Sequence, residues 1–162
     1  MNIPTLHTER LTLRAFGMED YPAFAAFHSG PASGAPPLPP REIWRHFCAH
    51  LGHWPLRGFG WWAIEAQGTP VGFAGIHEPP SHPEPELGWV LFEEGRGKGY
   101  ATEAATAARD WWYARGETRI ASNIDRDNAP SIAVARRMGA TTDGASLAHN
   151  PSCTAWLHEA PV

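Results

Sequence analysis

The sequence predicts one α/β domain spanning residues 1–162. Three observations carry that expectation. Segments with helical spacing of apolar residues alternate along the chain with short apolar, β-branched and aromatic runs. The length of 162 residues is one domain's worth, and 43% hydrophobic residues suffice for a core without staples. Between Glu86 and Arg115 an apolar run passes through a glycine-rich bend directly into an amphipathic stretch, the signature of a strand feeding a helix.

The elements follow in order. Leu6 to Leu13 carries apolar residues at 6, 11 and 13 with threonines between, and reads as a strand. Met18 to His28, with Tyr21, Phe24 and Phe27 at helical spacing, reads as a helix stopped by Gly30. Gly30 to Pro40 is a Pro- and Gly-rich connection. Arg41 to Trp54 places Ile43, Phe47, His50, Leu51 and Trp54 on one helix face. Gly60 to Ala66 and Pro70 to His77 are strands joined at Gln67-Gly68-Thr69, a hairpin signal. Glu78 to Pro85 holds four prolines and is a loop, and Glu86 to Phe92 is a third apolar strand. A helix over about 101–115 ends at Gly116, where a left-handed cap belongs. Arg119 to Ile124 is a strand. Asp127-Asn128-Ala129-Pro130 opens a helix ending at Met138 and Gly139, and short strands near 145–149 and 154–158 close the chain. The predicted order is β-α-α-β-β-β-α-β-α-β-β.

Composition narrows the function. The formal net charge is −4 and no basic run exceeds two residues, which argues against nucleic acid as a partner. No apolar stretch approaches a membrane span, and no signal pattern opens the chain, so no membrane partner is expected. Cys48 and Cys153 form no spaced pair and read as free thiols, so the expected location is cytoplasmic. Eight tryptophans predict a large aromatic core, an aromatic-walled cleft, or both.

The segment that carries chemistry is Arg96-Gly97-Lys98-Gly99-Tyr100-Ala101. Glycines let the backbone turn tightly and leave N–H groups uncovered, and those groups converge with the positive helix end on phosphate oxygens. Arg96 and Lys98 add counter-charge. A P-loop needs Ser or Thr after its Gly-Lys, but Gly99 and Tyr100 follow Lys98. The dinucleotide fingerprint G-x-G-x-x-G fails from Gly97 at Thr102 and from Gly95 at Tyr100. The pattern R/Q-x-x-G-x-G/A fits as Arg96, Gly99 and Ala101.

With that loop the chain resembles the GNAT superfamily of acyltransferases, and within it the branch of ribosomal-protein N-terminal acetyltransferases. The resemblance covers nearly the whole chain. It rests on Thr8-Glu9-Arg10-Leu11-Thr12-Leu13-Arg14, on Glu86-Leu87-Gly88-Trp89, and on Gly97-Lys98-Gly99-Tyr100-Ala101-Thr102-Glu103-Ala104. It closes with Asn128-Ala129-Pro130-Ser131-Ile132 and Arg137-Met138-Gly139-Ala140, all in the family's order.

The resemblance implies a mixed, mostly antiparallel central sheet, splayed at the cofactor site, with helices on both faces. It implies acetyl-CoA as co-substrate, an amine acceptor, no metal, and a homodimer as in similar proteins. The backbones of Arg96, Gly97, Lys98, Gly99, Tyr100, Ala101 and Thr102 would hold the CoA pyrophosphate. Val90, Leu91 and Phe92 would offer backbone to the pantetheine arm as an added strand does, with an N–H near Leu91 stabilising the oxyanion. Asn128 matches a family asparagine that contacts CoA, though it also suits a helix cap. Ser131 matches a serine near the thiol end, able to return a proton to the thiolate or merely to make a first-turn hydrogen bond. The chain departs from relatives with a tyrosine acid in this helix, since Ser131 to Met138 holds none.

An amine must lose a proton before or during attack, so a base is needed. Glu86 is the first candidate, where this branch often places a glutamate, against a solvent-facing strand end. His77 is the second, on the same rim as Glu78. His46, His50 and His53 share a helix face at metal-ligand spacing but lack a third organised partner, and Cys153 has no supporting base. The function expected is N-acetyl transfer from acetyl-CoA to a primary amine by direct attack in a ternary complex. The competing class is a non-catalytic acyl-CoA-binding or sensor module on the same fold. A nucleotide-binding domain is a third reading, excluded if ATP fails to compete with CoA.

Overall fold

Eight strands form one sheet in the order β1-β2-β3-β4-β5-β6-β8-β7. The computed structural model describes residues 2–31 and 35–161. The strands are β1 (Leu6–His7), β2 (Thr12–Arg14), β3 (Trp61–Ala66), β4 (Thr69–His77), β5 (Glu86–Leu91), β6 (Ile120–Asp125), β7 (Ser146–Leu147) and β8 (Asn150–His158). Every pairing is antiparallel except β5 with β6. The helices are α1 (Tyr21–Ser29), α2 (Pro40–Arg57), α3 (Tyr100–Ala114) and α4 (Ala129–Arg137). The expected order holds with one addition at the start. The run from Leu6 to Leu13 is two short strands, because the Thr8 backbone and hydroxyl bond Leu11 and fold the chain back on itself. Met18–Asp20 is a 3₁₀ turn ahead of α1. The helix α2 runs past Trp54 through Pro55 to Arg57, where Gly58 at φ +76° caps it. The connection expected over 30–40 includes residues 32–34, which lie outside the described residues.

Alternation along the strands separates two cores. Residues Trp62, Ile64, Ala74, Ile76 and Leu87 meet Ala104, Ala105, Ala108 and Trp112 of α3 on one face. Phe73 turns to the other face, where Phe24, Phe27, Ile43 and Phe47 of α1 and α2 cover it together with Phe92. The tryptophans divide accordingly. Trp54, Trp62, Trp111 and Trp112 pack in or against the first core. Trp61 lies over the second face, its ring on Gly88, where an added Cβ would stand 2.5 Å from Trp61 Cη2. No helix among the described residues is long and apolar enough to cross a membrane.

What positions the site is a parting of strands. β4 and β5 pair from His77↔Glu86 to Gly72↔Leu91. β5 and β6 pair only at Glu86↔Ala121. Beyond that point β5 continues alone, and its edge facing β6 is left open. Ser122 replaces the next ladder bond: its hydroxyl donates to Leu87 O at 2.7 Å, and His158 Nε2 stands 2.8 Å from Ser122 Oγ.

Candidate active site

The glycine-rich bend has the conformation an anion site needs. Gly97 (φ +73°) and Gly99 (φ +80°) are left-handed, which side chains resist. Gly99 is the N-cap of α3 and provides no side-chain cap, so the first N–H groups of the helix point outward unpaired by the helix. The bend is braced from behind. Glu103 accepts hydrogen bonds from Thr8 Oγ1 (2.6 Å), Arg10 N–H (2.9 Å) and Arg10 Nε (2.8 Å). Arg10 Nη1 in turn donates to Lys98 O at 2.9 Å, and its guanidinium lies 4.9 Å from the centre of the Tyr100 ring. The Thr8–Arg10 segment therefore fixes the bend from the far edge of the sheet.

A cavity of about 1210 Å³ runs from the bend into the splay. It is lined by Trp89, Val90 and Leu91 of β5, by Arg96, Gly97, Gly99, Tyr100, Ala101 and Thr102, and by Asn128, Ser131 and Arg137 from the α4 side. Asn128 also caps α4, its Oδ1 accepting from Ser131 N–H at 3.2 Å.

Backbone directions along β5 correct one expectation. Phe92 N–H donates to Val71 O at 2.9 Å, so that amide serves the sheet rather than a ligand. Val90 O also faces β4, close above Gly72. Leu91 faces the other way, its carbonyl accepting from Arg96 Nε at 3.1 Å. Period-two alternation puts Trp89 on the same side as Leu91. The backbone open to the splay is that of Trp89 and Leu91, while Val90 reaches the cavity only as a lining residue.

At the closed end of the splay lies a second cluster. Glu86 is a mostly buried carboxylate, its side chain 14% exposed. Oε2 accepts from Asn123 Nδ2 at 2.9 Å. His82 Nδ1 stands 3.0 Å from the same Oε2, off the alignment of a hydrogen bond, and His77 Nε2 lies 3.8 Å from it. All three neighbours address Oε2, and the Asn123 backbone adds a second hydrogen bond to the carboxylate. Burial pushes the Glu86 carboxyl up to about 7, against the opposing pull of the Asn123 hydrogen bond. Burial pushes His77 down to about 4, so its imidazole is neutral at pH 7. The His77 ring stacks on Trp61 with centroids 5.1 Å apart.

An acetyltransferase (GNAT) domain model matches residues 10–141. The chain belongs to the GNAT acetyltransferases. The acetyltransferase from Agrobacterium tumefaciens strain C58 is 38% identical, over 98% of this chain and 96% of that one, with a TM-score of 0.91. Two more distant folds agree. One is RimL, a ribosomal α-N-protein acetyltransferase in complex with coenzyme A, at 19% identity and TM-score 0.77 over 97% of this chain and 98% of that one. The other is the Salmonella typhimurium acetyltransferase that modifies the N-terminal serine of a ribosomal subunit protein, at 19% identity and TM-score 0.75, covering 96% of each chain. As a GNAT acetyltransferase the chain is an acetyl-CoA-dependent acyltransferase.

The structure brings the expected residues of β5, the glycine-rich bend and the start of α4 around one cavity, together with residues the sequence did not single out. Arg10 and Glu103 were visible as parts of the family blocks, but their mutual bond was not. Arg137 stood in a family block without an assigned role, and Asn123 and His82 carried no local signal. The histidines of α2 do not converge on a common point: His50 Nδ1 lies 2.8 Å from His46 O, and His53 bonds Phe59 O (2.7 Å) and Glu78 N–H (2.9 Å) through its two ring nitrogens.

Proposed function

We propose that this acetyltransferase moves the acetyl group of acetyl-CoA onto a primary amine, of a protein N-terminus or a small molecule, by direct attack in a ternary complex with Glu86 as general base. The observation that carries this reading is the state of Glu86: a mostly buried carboxyl titrating near 7, held by Asn123, at the closed end of the splay. A base poised near the operating pH is the most effective proton acceptor.

The diphosphate of CoA is gripped by the main-chain amides from Arg96 to Thr102, with Arg96 and Lys98 as counter-charge and Asn128 beside it. Pantetheine lies along the open edge of β5 and bonds the backbone of Trp89 and Leu91. Leu91 N–H polarises the thioester carbonyl. The amine nitrogen forms the new C–N bond as its proton passes to the Glu86 carboxylate. The tetrahedral oxyanion collapses, the C–S bond breaks, and Ser131 relays a proton from solvent to the departing thiolate while Glu86 returns the amine's proton to solvent. His77, neutral and 3.8 Å from Oε2, positions the carboxylate. The exposed thiol of Cys48 and the buried thiol of Cys153 suit a reducing compartment, and cytoplasmic residence belongs to the proposal.

The test is thiol release from acetyl-CoA across a panel of primary amines. Glu86→Gln should lower kcat by about 10²–10⁴-fold while leaving acetyl-CoA affinity unchanged. Wild-type turnover in Glu86→Gln would remove Glu86 as base. Tight acetyl-CoA binding with no thiol release on any amine would favour a binding module.

A further inference from the structure

The residues beside the proposed base have a property that acetyl transfer does not use. His77, His82 and Glu86 offer ligand atoms that all lie within 4.8 Å of one another. From Glu86 Oε2 the two histidine nitrogens are 3.0 and 3.8 Å away. Tetrahedral zinc, with bonds of about 2.0–2.1 Å, holds its ligand atoms about 3.3 Å apart, so the observed spacings bracket the required one. Two histidines and one glutamate are a known zinc donor set, with the fourth position open to water.

The site is also preorganised. His82 sits in a segment with four prolines between Glu78 and Pro85, and its N–H closes a turn on Pro79 O at 2.9 Å. Its Nδ1 is buried, near Oε2 and without a hydrogen-bond partner. His77 is held by stacking on Trp61 and by the β4–β5 pairing opposite Glu86. Little reorganisation separates these three side chains from a coordinating arrangement.

We infer that His77 Nε2, His82 Nδ1 and Glu86 Oε2 form a zinc-binding site that inhibits the enzyme. Bound zinc takes the carboxylate as a ligand and occupies the space beside it, so the carboxylate can no longer accept the amine's proton. The inhibition, unlike the binding, rests on Glu86 being the base. It is competitive with the amine and not with acetyl-CoA, whose diphosphate grip lies at the far end of the splay.

The experiment is calorimetric titration of the full chain with zinc chloride, without coenzyme A, whose free thiol would itself bind the metal. A single site is expected, weakened by roughly 100-fold or more in His82→Asn, since loss of even an outer partner costs about 10–100-fold in metal affinity. His7→Asn, on β1 away from the cluster, should bind as wild type does. Cobalt in place of zinc should give the visible absorption of a four-coordinate ion, lost in His82→Asn. Zinc affinity equal in His82→Asn and wild type, or no heat at millimolar zinc, overturns the site. The two readings fail separately. A zinc site abolished by His82→Asn alongside a fully active Glu86→Gln leaves the metal site standing and removes the base. An inactive Glu86→Gln alongside zinc binding indifferent to His82→Asn does the reverse.

Discussion

At the scale of single residues, the behaviour of Glu86 is a balance between burial, which raises its proton affinity, and the Asn123 hydrogen bond, which lowers it. Removing the side-chain hydrogen bond leaves burial opposed only by the Asn123 backbone hydrogen bond and His149. Asn123→Ala should therefore push the Glu86 carboxyl above its value of about 7 and move the rising limb of the kcat/KM–pH profile to higher pH. A limb that stays in place would show that another group controls it. The placing of Glu86 and His77 on one rim was legible in the sequence, because Glu86 opens one apolar strand and His77 closes the strand before it. Asn123 was not. Its role requires β6 to lie beside β5, a contact across 37 residues of chain that no local pattern records.

At the scale of elements, the site depends on β5 and β6 meeting at one point and then separating. Ser122 makes that point durable, because its hydroxyl satisfies the carbonyl that a continued ladder would have paired. Leu87 O can only accept, so the hydroxyl proton goes to it, and His158 Nε2–H donates to Oγ in turn. Ser122→Ala leaves both partners buried and unsatisfied. It should cost about 1–3 kcal/mol of stability and raise KM for acetyl-CoA several-fold, read by thermal melts and by initial rates. Unchanged melting and KM would show that the strands part without help from Ser122. The helices and the longer strands were legible because their apolar spacing persists over two turns or more, or over five or more residues. The strand expected over Leu6 to Leu13 was misread because Thr8 turns the chain with its own hydroxyl, an effect that apolar periodicity does not register. The outward backbone expected at Phe92 was misassigned because its direction depends on register with Val71, which the sequence does not display.

At the scale of the whole molecule, the burial that tunes Glu86 also makes the fold acid-sensitive. His50 is pushed down to about 3, and His77 and His158 to about 4, all by burial. Unfolded, each titrates near 6.5, so below that pH the unfolded chain takes up protons that the folded chain refuses. Their contribution is complete above pH 6.5 and is lost as pH falls. Glu86 acts oppositely, because its raised pKa favours the fold increasingly as pH falls from about 7 toward 4.5. Three histidines against one carboxyl leave a net loss on the order of 3 kcal/mol between pH 7 and pH 5. The melting temperature should drop over that interval; a flat or rising trend would contradict the buried neutral histidines. In the sequence these histidines lie far apart, and neither the helix face of His50 nor the strand end of His77 displays burial. His50 and His77 are buried where α1 and α2 cover Phe73 and Trp61, and His158 where β8 lies beside Ser122 of β6.

The claim on which the rest depends is that a carboxylate at the closed end of the splay takes the proton from the amine. The most direct measurement is kcat/KM against pH for wild type and Glu86→Gln, with one amine whose own titration is known. Once the amine's ionisation is divided out, the wild-type profile should rise through pH 7 to a plateau, and the Glu86→Gln profile should lie far below it with no such limb. The same limb near pH 7 in both proteins would contradict the account.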